Sequence, residues 1–267
     1  REKENIHIHL DLIAGLPFED YESFGHSFDE VYDMEPEQLQ LGFLKVLKGS
    51  PMFYLAEKYG VVYQSKPPYE VLYTNWLSYG DVLKLKQIEE MVEIYYNSNQ
   101  YRATLRLLRK NFVGPFAMFE ALAEYYEREG YFKNTPARSY RYQLLLDFAC
   151  EADEEKEELY RELLTYDYYL RENAKSRPSF ARDLSEYHDR IWEFYRGEEE
   201  APDILQDYRD YHAKQTLKMT HMEVFFYPVW QEEAEKICKR SETPQLMLFD
   251  YQVRNPLNQD AKTVLIS

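Results

Sequence analysis

The stretch Asn5-Ile-His-Ile-His-Leu-Asp-Leu-Ile-Ala-Gly-Leu-Pro-Phe-Glu19 decides how the start of this chain folds. Ile6, Ile8, Leu10 and Leu12 alternate with His7, His9, Asp11 and Ile13, the two-residue period of a β-strand. Gly15 and Pro17 end that pattern. From Tyr21 to Val31 the apolar spacing becomes helical, with Phe24, Phe28 and Val31 on one face. A second extended run, Gln38 to Leu47, follows Pro36 and closes on Gly49-Ser50-Pro51. Strand, crossover helix and strand make a βαβ unit, which belongs to a parallel sheet covered by helices. Such a pair does not stand alone, and the chain opens on Arg1 rather than Met. The rest of the sheet is therefore expected upstream of Arg1.

Beyond Pro51 the pattern is helical, and a total of 9 Gly argues against a fold rich in turns. Met52 to Tyr59 suggests a short helix, and Pro67-Pro68 keep 61–73 extended. Ser78 and Asp81 have capping-box spacing ahead of a helix reaching Tyr96, with Val82, Leu85, Ile88, Val92 and Tyr95 inside. Further helices are expected over 102–110, 116–128, 138–150, 153–173 and 179–195. The acidic run Gly197-Glu-Glu-Glu-Ala-Pro202 reads as a boundary. After it, 217–227 and 245–253 have the aromatic and β-branched content of strands, separated by a helix over 229–238. Residues 263–266 form a third short strand. The expected fold is mainly α with a minor α/β part: a βαβ portion over 1–52, a helical domain over 53–200, and a small α+β element over 201–267 packed on that domain.

A net charge of −16 argues against a nucleic-acid binder, which needs clustered Lys and Arg for phosphates, and against an anionic membrane surface. Cys150 and Cys238 are too few for a disulfide framework or a spaced metal motif. No apolar run is long enough to span a bilayer, and no signal peptide opens the chain, which reads as cytoplasmic. The 26 Tyr offer stacking faces, but helical domains ordinarily place Tyr at core margins with the hydroxyl wet. The basic faces at Arg102–Lys110 and Arg138–Arg141 are expected to be solvated or paired within the chain.

His7, His9 and Asp11 share one strand face, with successive side chains about 6.5–7 Å apart. Such a face belongs at a lumen, a site or solvent, because burying unpaired polar groups costs several kcal/mol. His-x-His also suits a zinc-type metal. No convincing third ligand accompanies it, so no metal site is assigned, and a metal-dependent hydrolase ranks last among the readings.

Asp11-Leu-Ile-Ala-Gly-Leu-Pro17, with Glu19, resembles the late barrel strand of radical S-adenosylmethionine enzymes, especially the coproporphyrinogen-dehydrogenase-like and cobalamin-dependent branches. The resemblance covers about Ile6 to Met52. The run Gln40 to Gly49, then Pro67-Pro-Tyr-Glu-Val-Leu72 and Tyr96-Asn-Ser98, is similar to a helical C-terminal extension that accompanies such barrels. The resemblance implies the end of a partial TIM-like barrel. Asp11 would lie near the ribose of S-adenosylmethionine, with Gly15 shaping the loop at the strand end. Leu44 and Lys45 would lie near the adenine, and His7 and His9 on the lumen or substrate face. The family's trio of cluster-binding cysteines is absent. This portion would therefore carry no cofactor and be inactive alone. S-adenosylmethionine and a [4Fe–4S] cluster are implied for the parent enzyme, with cobalamin at one further remove. Its partner would be the upstream part of its own chain, and its role would be shaping substrate access in an oxidoreductase. The alternative is a non-catalytic helical module that binds a protein or a carrier-bound substrate.

Overall fold

A computed structural model of the chain describes residues 7–266. In chain order the elements begin β1 (His9–Ala14), α1 (Tyr21–Asp33), β2 (Gln38–Phe43), α2 (Pro51–Leu55), β3 (Val62–Tyr63), β4 (Val71–Tyr73) and α3 (Tyr79–Met91), which runs into a π-helical turn, Val92–Asn97. Then come α4 (Arg102–Leu108), α5 (Pro115–Arg128), α6 (Arg138–Ala152), α7 (Glu157–Arg171), α8 (His188–Glu200) and α9 (Ala213–Met219). The chain ends with β5 (Thr220–Phe225), α10 (Ala234–Ile237), β6 (Gln245–Arg254) and β7 (Ala261–Ile266). The fold is mainly α with a minor β part.

The chain divides into two compact units. The first takes the chain to Asn99 and again Leu108–Pro136; the second takes Gln100–Leu107 and everything from Ala137 onward. Residues 53–99 thus pack with the βαβ portion, and 137–200 pack with the C-terminal strands, across the segment limits read at 52 and 200.

In the first unit β1 and β2 are parallel, with His9 opposite Gln38 and Asp11 opposite Gln40. The alternate positions give the inner face, where Ala14, Leu39, Leu41 and Phe43 are buried. Asp20 and Ser23 close a capping box that starts α1. Buried Phe24 and Phe28 then carry α1 onto Phe116 and Phe119 of α5. Gly25 lets the helices approach, since a Cβ there would meet the Phe116 ring at 2.9 Å. The α3 stripe of Val82, Leu85, Ile88 and Met91 is buried as its spacing implies.

The second unit is built on an antiparallel sheet in the order β5-β6-β7. Met222, Val224, Leu246 and Leu248 form a core with Tyr195, Leu205 and Tyr208. Asp167 of α7 is buried and accepts hydrogen bonds from the backbone N–H groups of Ala103 and Thr104 at 3.0 and 2.9 Å, and from the Thr104 hydroxyl at 2.7 Å. A side chain from elsewhere in the unit therefore caps the start of α4.

Several expected limits shift. The acidic run at 197–202, read as a boundary, lies inside the second unit, and α8 continues through it to Glu200. Glu198 accepts from the N–H groups of Asp203, Ile204 and Leu205, and Glu199 from that of Ala213, so the charges hold the following turns. The helix expected over 179–195 begins only at His188, after a 3₁₀ turn at Ser185–Tyr187. The strand expected from 217 starts at Thr220, with α9 before it. The helix over 229–238 shrinks to α10, since turns close at Tyr227–Val229 and Pro228–Gln231.

Candidate functional site

The outer face of β1 and β2 carries the polar residues that the sequence singles out. His9 and Asp11 stand beside Gln38 and Gln40 of β2 by register. His9 Nε2 lies 3.0 Å from Asp11 Oδ1, and the two side chains are 42% and 64% exposed. His7 is exposed as well. These three therefore share an open polar surface, while the opposite face of the same strands builds the core.

The two edges of this sheet differ. Ile8 and Ala14 give their carbonyls to Gln38 and Leu44 of the β2 segment, so the even-numbered residues of β1 turn their backbone toward it. The backbone groups of His9, Asp11 and Ile13 then point to the other side. Among the described residues β1 has no second strand neighbour. On β2 the outer edge is closed. Asn97 accepts from Leu39 N–H at 2.9 Å and donates Nδ2 to Leu39 C=O at 3.0 Å. Farther along, Val71 N–H bonds Leu44 C=O at 2.8 Å and Val46 N–H bonds Tyr69 C=O at 2.9 Å.

Gly15 ends β1 at φ +88°, and a Cβ there would sit 2.7 Å from Val71 Cγ1. Its place in the loop is thus dictated by close approach as well as by a left-handed backbone. Leu44 is half-buried, with its N–H given to Ala14 C=O at 2.9 Å and its C=O already taken by Val71. Its main chain is consumed by the sheet and offers nothing to a ligand. Lys45 is exposed and bridges Glu70 across the sheet edge.

Past Gly15 the chain presents an aromatic group that sequence reading does not isolate. Phe18 is 72% exposed although its φ is +72°, an uncommon conformation for a bulky residue. Its ring lies 4.6 Å from Trp76 and 5.6 Å from Tyr59. Ile13 and Leu16 are also exposed nearby in the chain. The carboxyl end of β1 therefore carries an open apolar surface next to the polar one. Carboxyl ends of parallel strands are where α/β sheets bind ligands.

Several residues of the basic faces are paired within the chain. Arg109 bonds Asp33 at 2.9 Å, Arg102 lies 3.7 Å from Asp260, and Arg138 bonds Glu172 and Gln100. Cys150 is half-buried, with burial pushing its thiol up to about 11, and Cys238 is exposed; both are free. Among the described residues no three His, Cys, Asp or Glu side chains converge as a metal-binding group. None of the described helices is long and apolar enough to cross a membrane.

The family described as protein of unknown function (DUF4080) matches residues 57–249, well over half of the chain. The chain belongs to this family. The DUF4080 match begins within the first unit and ends within β6, so it takes in Trp76, Asn97 and most of the second unit. It leaves β1, α1 and β2 outside. No curated protein matches the chain.

Proposed function

We propose that this chain is the C-terminal part of a radical S-adenosylmethionine iron–sulfur oxidoreductase, with β1–α1–β2 as the end of its barrel. The DUF4080 portion would shape substrate access. The observation that carries this reading is the outer face of β1. A parallel strand covered by a helix on one side leaves His9 and Asp11 open on the other, beside an edge with no strand on it among the described residues. A closed barrel offers such a strand both a neighbour and a polar lumen. The aromatic group at Phe18, Tyr59 and Trp76 supports a role in access, because it borders the carboxyl end of that strand.

A thiolate-held cluster does not fit the residues of this chain. Cys150 and Cys238 are two thiols, and no third ligand converges with either among the described residues. Under this reading its ligands belong to the upstream part of the parent. The nucleoside of S-adenosylmethionine does fit. Asp11 offers an exposed carboxylate able to accept from ribose hydroxyls, as acidic residues do in dinucleotide sites. His9 orients that carboxylate from 3.0 Å. Under this reading Lys45 stands at the same end of the sheet, whereas the Leu44 main chain is already engaged.

The test is made on the full-length gene product after anaerobic reconstitution. Iron and sulfide are expected at cluster stoichiometry, with release of 5′-deoxyadenosine under reduction. Asp11→Ala is expected to weaken S-adenosylmethionine binding while leaving the iron content unchanged. Absence of both cluster and 5′-deoxyadenosine overturns the reading.

A further inference from the structure

The loop between β1 and α1 holds one residue in a position that works against the stability of the fold. Phe18 has φ +72°, in the left-handed region where L-residues are strained, and its ring is largely open to solvent. A strained backbone and an exposed apolar ring both disfavour this arrangement, and a glycine at the same place would relieve both. A local cost of this kind is characteristic of residues held for a ligand.

The ring is nonetheless fixed. Trp76 lies 4.6 Å from it at an interplanar angle of 51°, and Tyr59 lies 5.6 Å away at 71°. Tyr59 and Trp76 are themselves 6.3 Å apart at 50°, so three tilted rings brace one another. Phe18 therefore presents a rigid aromatic surface. On the outer face of β1, Ile13 is the next position after Asp11, and it is exposed, as is Leu16 in the loop. Polar surface thus gives way to apolar surface along the strand, and the apolar part ends at Phe18.

We infer that Phe18 is a specificity-determining residue of the proposed site, and that the substrate presents a flat, uncharged, unsaturated ring to it. The inference rests on the barrel reading, under which the nucleoside lies at Asp11 and the substrate comes next, towards Ile13 and Phe18. A ring is favoured over an alkyl chain for two reasons. Aromatic pairs gain from tilted or offset contact beyond the area they bury. A rigid ring also loses less conformational freedom on binding than a chain with several rotatable bonds.

The surrounding charges favour a neutral ring. Asp20 is engaged in the cap of α1, and Lys58 Nζ stands over the Tyr59 ring at 5.2 Å. Burial holds the Glu19 carboxyl above its ordinary value, towards its neutral form. What faces the ligand is the aromatic surface itself.

The test uses this chain and two probes matched in size, benzyl alcohol and cyclohexylmethanol. Binding is followed through the Trp76 indole N–H signal and the backbone amides of Ile13, Leu16 and Phe18. Benzyl alcohol is expected to bind at about 30 mM, a weak-fragment affinity, and at least about threefold tighter than cyclohexylmethanol. Phe18→Tyr keeps the ring and should retain binding within about twofold. Phe18→Gly is expected to bind benzyl alcohol at least about fivefold more weakly, with a urea midpoint equal to or above that of the parent chain. A lower midpoint would show that the ring serves the fold and would overturn the inference. Equal binding of the two probes, or unchanged binding in Phe18→Gly, would overturn it as well. These outcomes are read without a cluster or S-adenosylmethionine, so their failure leaves the barrel reading standing. Absence of cluster and 5′-deoxyadenosine in the full-length product, with ring selection retained, removes that reading and with it the substrate role of the ring.

Discussion

Asn97 stands against Leu39 as a neighbouring strand would, accepting from its N–H at 2.9 Å and donating to its C=O at 3.0 Å. One amide side chain at the end of a π-helical turn thereby replaces two rungs of a β-ladder. Leu39 is buried, so both groups would otherwise be left dry. Asn97→Ala is expected to destabilise the first unit by about 2–4 kcal/mol, the cost of two unsatisfied backbone groups. Urea unfolding measures the loss, and hydrogen exchange should show the Leu39 amide among those most accelerated. An unchanged midpoint would show that water satisfies the edge equally well.

Gly15→Ala tests the close approach at the end of β1. The added methyl would overlap the buried Val71 side chain, at a backbone angle that L-residues rarely adopt. A loss of about 2–4 kcal/mol is expected from overpacking and left-handed strain together. Val71→Ala in the same chain should recover part of the overpacking share. Strict additivity of the two substitutions would count against contact between them.

Asp167 gives a pH signature. Burial pushes its carboxyl up to about 6, although hydrogen bonds from Thr104 and Ala103 pull the other way. A folded-state value above the unfolded one means its contribution is complete below about pH 4 and is lost as pH rises through about 6. That displacement corresponds to about 3 kcal/mol. Asp167→Asn removes this term. The stability of the variant relative to the parent is therefore expected to improve by about that amount between pH 4 and pH 7.5. Parallel stability–pH curves for the two proteins would refute the assignment.

Arg177 and Glu223 form the opposite case. Burial raises the Glu223 pKa, yet the hydrogen bonds from His221 and Arg177 outweigh it and leave it below the ordinary carboxylate value. This carboxylate therefore stabilises the fold above its unfolded pKa, and that support fades as pH falls through the lower folded value. Arg177→Met strands a fully buried charge and is expected to cost about 3–5 kcal/mol. Arg177→Met with Glu223→Leu should be markedly more stable than Arg177→Met alone. Equal midpoints for the single and double variants in thermal unfolding would show that the charge is not stranded.

Signals that act within a few positions carry the first elements, whereas groups that act at a distance leave no local signal. The two-residue period at Leu10 and Leu12, the helical spacing of Phe24 and Phe28, and the capping pair Ser78–Asp81 all operate within a few positions. Period and capping therefore located β1, α1 and α3. Asn97 closes an edge 58 positions away, and Asp167 caps a helix more than 60 positions away; neither has a local signature. The acidic run at Glu198–Glu200 misled for the same reason. Its composition reads as a boundary, but Glu198 and Glu199 serve N–H groups brought near by the turn after α8. Phe180 and Leu184 keep helical spacing without a helix, because Arg177 and Arg182 anchor that segment through Glu223 and Glu162. At the candidate site, alternation put His9 and Asp11 on one face, read as lining a lumen, a site or solvent, and both are exposed. The aromatic group at Phe18 depends on Tyr59 and Trp76, which only the fold brings to it.

The unequal edges of the β1–β2 sheet also limit how copies of this chain can associate. Asn97 and the β4 segment block strand addition on the β2 side, so only β1 can accept a new strand. A stack of sheets needs two open sides in every member, and this sheet has one. Pairing of two copies through β1 would therefore use up that edge in both and, through this sheet, would not propagate into a fibre; under the barrel reading an upstream strand holds the edge instead.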